Sequence, residues 1–141
     1  MTITPELASA VKESVRDALE SIPTGFPDIA VRAFPDGQGG AWVEMLDVPL
    51  GAPYAQETTF VAFLLAFNLP GCDIYPLFVR HDLSRLDGQP LGEGFQATRL
   101  AWTAEPQPRQ VTQVSRRTRG AFASQTAAQK ITKVLDWMYN R

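Results

Sequence analysis

One cysteine, Cys72, and one histidine, His81, stand in a chain of 141 residues. A lone cysteine excludes an internal disulfide, and so few soft ligands exclude a structural zinc site; neither a metal nor a cofactor is expected. A hydrolase built on a histidine base would have to use His81, which sits far from any recognisable nucleophile motif. Long hydrophobic runs are missing as well. The longest, Phe60 to Phe67, is far too short to cross a bilayer and reads as a buried strand. Met1 to Leu7 lacks the basic-then-apolar order of a signal peptide, which points to a cytoplasmic chain without a membrane partner. No internal repeat or low-complexity tract is present.

The composition, 45% hydrophobic and 20% charged, is that of a single domain spanning 1–141. The net charge of -2 conceals an asymmetry. Residues 1–79 hold ten acids against three bases, a charge of -7, whereas residues 80–141 hold five acids against ten bases, a charge of +5. Much of the basic excess falls at Arg109, Arg116, Arg117 and Arg119. Such a cluster suits a phosphate or an acidic protein partner; the alternative is a solvated loop that pairs with the acidic half. Nucleic acid is disfavoured, because the chain is acidic overall and no aromatic residues interleave with the arginines.

Periodicity predicts an α+β order. Thr4 and Pro5 open one amphipathic helix carrying Leu7, Val11, Val15, Leu19 and Ile22, which Pro23 and Gly25 end. A hairpin follows: Ile29 to Phe34, the turn Pro35 to Gly40, and Ala41 to Val48 as an inner strand with Trp42, Glu44, Leu46 and Val48 on one face. Thr58 to Phe67 is a central strand, and Asp73 to Arg80 a fourth, which Pro76 consigns to an edge or a bulge. Residues 81–120 show no sustained period and read as a long irregular segment. Ala127, Ile131, Val134, Leu135 and Met138 then mark a closing helix, capped by Ser124 or Thr126. Sequential strands with helices at both ends predict a four-stranded antiparallel meander whose helices cover one face.

This order resembles the ubiquitin-conjugating-enzyme (UBC-like) fold, and local motifs fall in the family's sequence. Leu69-Pro70-Gly71, Tyr75-Pro76-Leu77-Phe78-Val79, His81 and Leu86-Asp87-Gly88 look like its proline-rich turn, fourth strand, flap and pre-cysteine glycine. The ending, Val114-Ser115-Arg116-Arg117 before a helix with Val134, Leu135 and Trp137, is similar to divergent bacterial members of ubiquitin-like modification systems. The departures matter more. Ten positions after His81, or three after Gly88, where the family places its catalytic cysteine, stands Leu91. Asp82 and Leu83 replace the flap's proline and asparagine, removing the amide that polarises the thioester carbonyl.

The resemblance therefore implies a non-catalytic accessory protein that binds a ubiquitin-like protein or a subunit of the conjugation machinery, with Arg109, Arg116, Arg117, Arg119 and Trp137 as partner-binding residues. A second reading is an active, divergent conjugating enzyme using Cys72, or Ser84 or Ser115 as an oxyester nucleophile, with His81 as base. Against it, Asp73 beside Cys72 raises the thiol's pKa, and each of these residues has an ordinary structural role open to it. A third reading, outside the family, is a secretion-chaperone-like dimer that clasps an unfolded segment. The residues do not choose an oligomeric state.

Overall fold

A computed structural model describes all 141 residues. Helices α1 (Pro5–Ala10) and α2 (Glu13–Gly25) precede strands β1 (Ala30–Pro35), β2 (Ala41–Pro49), β3 (Thr58–Leu65), β4 (Leu77–Arg80), β5 (Phe95–Leu100) and β6 (Arg109–Val114), and α3 (Ala127–Tyr139) closes the chain. The strands form one antiparallel sheet in the order β1-β2-β3-β4-β6-β5. No helix is long and apolar enough to cross a membrane.

The expected N-terminal helix is two helices. Thr4 caps the first, its Oγ1 accepting the Leu7 amide at 3.2 Å. The chain then extends through Val11, because the β1–β2 turn offers a competing acceptor: the Lys12 amide donates to the Gly39 carbonyl at 2.9 Å. Leu7, Val11, Val15, Leu19 and Ile22 nevertheless all bury together, so the apolar stripe survives the break. α2 ends at Gly25 as expected, but Pro23 is not what stops it. The proline sits in the last turn, where the Phe26 amide still reaches the Ile22 carbonyl at 2.8 Å.

The four-strand meander is present, with β2 and β3 inside it as expected. Val48, however, leaves the face of Trp42 and Glu44. A bulge between Met45 and Val48, with Asp47 at φ 51°, inserts one residue and turns Val48 to the helix side beside Val43 and Met45. β4 starts only at Leu77, after Pro76, and it is an inner strand rather than an edge. β3 stops at Leu65, leaving Phe67 exposed.

The largest correction concerns residues 81–120. They are not irregular throughout: β5 and β6 form a hairpin, and β6 pairs with β4, extending the sheet to six strands. Polar residues occupy both faces of this hairpin, as in Gln96, Thr98, Gln110 and Gln113, which erases the period-two signal.

Two cores result. The helices pack on the face presenting Val43, Val61, Phe63, Leu77 and Val114, with Ile131, Val134 and Met138 of α3 against them. On the opposite face the loop joining β5 to β6 folds back over the sheet as a strap. Trp102 packs edge-on to Phe34 and Trp42, 6.4 and 6.0 Å between ring centres, and Thr103 Oγ1 donates to the Pro35 carbonyl at 2.9 Å.

Candidate binding site

The loop that follows β6 places the arginines. Its main chain is anchored from inside by a lysine on the buried stripe of α3. Lys130 Nζ, almost fully buried, donates to the Arg116 carbonyl at 2.7 Å, to Thr118 Oγ1 at 3.0 Å and to Asp73 at 3.2 Å. Asp73 in turn accepts the Thr118 amide at 2.7 Å and its hydroxyl at 2.8 Å. Burial pushes the Asp73 carboxyl up, but the Thr118 hydrogen bonds and Lys130 together outweigh it and hold the group below the usual carboxylate range. Burial likewise pushes Lys130 below the ordinary lysine value, against the pull of Asp73.

With its backbone held inward, the loop sends its guanidinium groups outward around Trp137. The indole stacks on Phe95, 5.3 Å between centres at 23°, and carries Arg116 at 5.2 Å and Arg141 at 4.6 Å from its ring centre. Arg117 lies 3.9 Å over Tyr75. Gly94, at φ +93°, lets the indole approach: a Cβ there would stand 2.6 Å from the ring. Arg116, Arg117, Arg119, Lys133 and Trp137 line a groove of about 240 Å³, with Arg141 against the same indole. Arg116, Arg117, Arg119, Lys133 and Arg141 form no ion pair; of the four clustered arginines only Arg109 pairs with the acidic half, through Glu44. Stacking on an aromatic ring fixes a guanidinium plane and leaves its N–H edge free for a carboxylate or phosphate.

Arg109 does not belong to this group. It lies under the strap, paired with Glu44 at 2.6 Å and Glu105 at 2.7 Å and packed over Phe60 and Trp102. Glu44, buried in β2, also accepts from Arg32, and Glu105 accepts the Trp102 indole N–H at 3.0 Å. Burial disfavours the charged Arg109, but its two carboxylates more than compensate and raise its pKa. The residue closes the second core.

The nucleophile candidates are not brought together. Cys72 lines a cavity of about 250 Å³ between α2 and residues 122–127, whose walls include neither His81 nor Ser84 nor Ser115. Its thiol lies 3.1 Å from Asn68 Oδ1, and burial, with Asp73 beside it, pushes its pKa up. His81 is exposed in the turn after β4. Ser84 is engaged by Gln56, whose side-chain amide donates to its hydroxyl at 2.9 Å. Ser115 accepts from Gln113 at 3.0 Å. Leu91 packs against the main core. Nowhere do three His, Cys, Asp or Glu side chains gather at metal-ligand range.

Asp73 and Lys130 escaped the sequence reading as site residues, although one signal was available: Lys130 falls three positions after Ala127 and four before Val134, on the apolar stripe itself. No family model, no curated protein and no solved structure matches this chain.

Proposed function

We propose that this chain is a non-catalytic binding protein that receives an acidic protein partner in the arginine groove. The observation that carries the reading is the set of unpaired cations around Trp137, while Arg32, Arg80, Arg85, Arg109 and Lys130 all have carboxylates of their own. Crowding like charges costs Coulomb energy that a partner's anions offset. Arginine and tryptophan are also the side chains on which interface energies concentrate.

The resemblance to UBC-like accessory domains supplies the partner class: a ubiquitin-like protein or a subunit of its conjugation machinery. Two features support that finer reading. The helices, the four-strand meander and the closing helix follow the family's order, and the position of its cysteine is held by Leu91, half-buried against the core. The β5–β6 hairpin occupies the stretch where the family carries its active-site segment. The non-catalytic reading rests on a Cys72 thiol whose burial and neighbour Asp73 push its pKa up, away from the range of an activated nucleophile, and on the scatter of the other candidates.

Retention of ubiquitin-like proteins or conjugation subunits on the immobilised chain tests the proposal. Binding is expected at roughly 0.05 M salt, with loss at about 0.5 M and in the Arg116→Glu/Lys133→Glu variant. Incubation with an activating enzyme and ATP should leave the chain unmodified. A covalent adduct that disappears in Cys72→Ser or Ser115→Ala would establish the enzyme reading instead, and obligate dimerisation on sizing would favour the chaperone.

A further inference from the structure

Trp137 links the groove to a free sheet edge, through its stack on Phe95 of β5. β5 is the last strand of the sheet, and its outer side pairs with nothing. The hydrogen-bonding phase of that edge follows from its inner partner. The Ser115 amide donates to the Gly94 carbonyl at 2.7 Å, and Phe95 lies opposite Val114, so residues 94, 96, 98 and 100 bond inward to β6. The amides and carbonyls of Phe95, Ala97 and Arg99 then point outward. Their side chains lie on the helix side, where Phe95 stacks on Trp137.

Cations follow the same edge. Arg99 sits on the helix side of β5, and Arg141 Nη2 comes within 4.0 Å of the Cβ position of Gly92, just before the strand. Arg116, from the loop after β6, stacks on the same indole that packs against Phe95 of that strand. A strand added to β5 would set every second side chain on the helix side, opposite Arg99, Ala97 and Phe95 in turn, the last of them toward Trp137 and its two arginines.

We infer that the partner enters as an extended acidic segment that adds a seventh strand to β5, its alternate carboxylates meeting Arg99, Arg116 and Arg141. This rests on the groove's being a receptor for acidic protein and specifies how it binds. Charge decides the occupant. A second copy of this chain pairing β5 to β5 would bring two sets of arginines face to face, whereas a segment bearing Glu or Asp at alternate positions satisfies both the main-chain groups and the cations. One phosphate would leave most of the cations unmet.

The test uses the intact chain and an alternating Glu-Thr decapeptide with blocked ends, with a Gln-Thr peptide as control. The Glu-Thr peptide is expected to bind at low salt and the control to bind at least about tenfold more weakly. Ala97→Pro removes one outward amide without touching the ladder to β6, and should weaken binding by about tenfold. Amide exchange in the saturated wild-type complex reads the same point without a variant: the Phe95, Ala97 and Arg99 amides should become protected. If those amides keep exchanging freely while Arg116→Glu abolishes binding, strand addition is overturned and the groove reading stands. If the Glu-Thr peptide does not bind and a phosphopeptide or inorganic phosphate does, both are overturned. A chain that elutes as a dimer through β5 contradicts the choice of occupant.

Discussion

At residue 130 a lysine occupies a helix position that periodicity reserves for an apolar side chain, and its ammonium is what holds the arginine loop in place. Removing one partner of a buried pair leaves the other charge uncompensated, so Lys130→Ala should cost about 3–5 kcal/mol in urea unfolding. Binding to an acidic partner should weaken with it, since the Arg116 carbonyl and Thr118 lose their anchor. Asp73 makes the pair pH-dependent. Its carboxyl is held below its ordinary value, so its stabilisation is whole above the usual carboxylate range and is lost as the pH falls through the lowered, folded value. Urea melts between about pH 5 and pH 2 should therefore lose stability more steeply for the wild type than for Asp73→Asn. An equal slope in the variant would mean that Asp73 carries none of this acid sensitivity. Neither residue was legible as a site, because an isolated Asp after a cysteine and a Lys within a helix carry no motif. Their meaning comes from a contact across 57 positions of sequence. Arg109 shows the converse. Counted with the loop arginines from its place in the chain, it is separated from them by one strand, β6, and points to the opposite side of the sheet from α3.

Among the elements, those most plainly marked in the sequence are α2 and α3, each with one apolar face, and strands β2 and β3, apolar on both; β1 and β4 follow from the turns that bound them. The hairpin β5–β6 stayed hidden because its burial comes from the strap and from Trp137, neither of which shows in local alternation. The strap makes its own prediction. Trp102 is nearly buried against Phe34, Trp42 and Arg109, and Trp102→Ala should destabilise the protein by about 3–5 kcal/mol. Near-ultraviolet dichroism should change while the helical far-ultraviolet signal persists below the melting transition, because the helices lie on the other face. At the start of β5, Gly94→Ala would place a methyl group into Trp137 and force a side chain into a left-handed conformation. The expected cost is about 1–3 kcal/mol, together with weaker partner binding, measured by melting and by titration of the same sample. Unchanged binding in a destabilised Gly94→Ala protein would argue that Trp137 does not shape the groove.

For the molecule as a whole, the charge split read from the sequence has a physical location. The acids of α2, Glu13, Asp17 and Glu20, lie exposed on one helix, and the basic groove opens beside α3, which packs against it. Clustered unpaired cations orient an acidic partner before contact and make its association rate fall with salt. The central claim is that the unpaired cations around Trp137 are a receptor for acidic protein. Titration of the intact chain with the alternating Glu-Thr peptide, at several salt concentrations and in parallel with Arg116→Glu/Lys133→Glu, tests it most directly. Affinity should fall steadily with salt in the wild type and be at least about tenfold weaker in the variant at low salt. Equal affinity in the two proteins, or an affinity indifferent to salt, would contradict it.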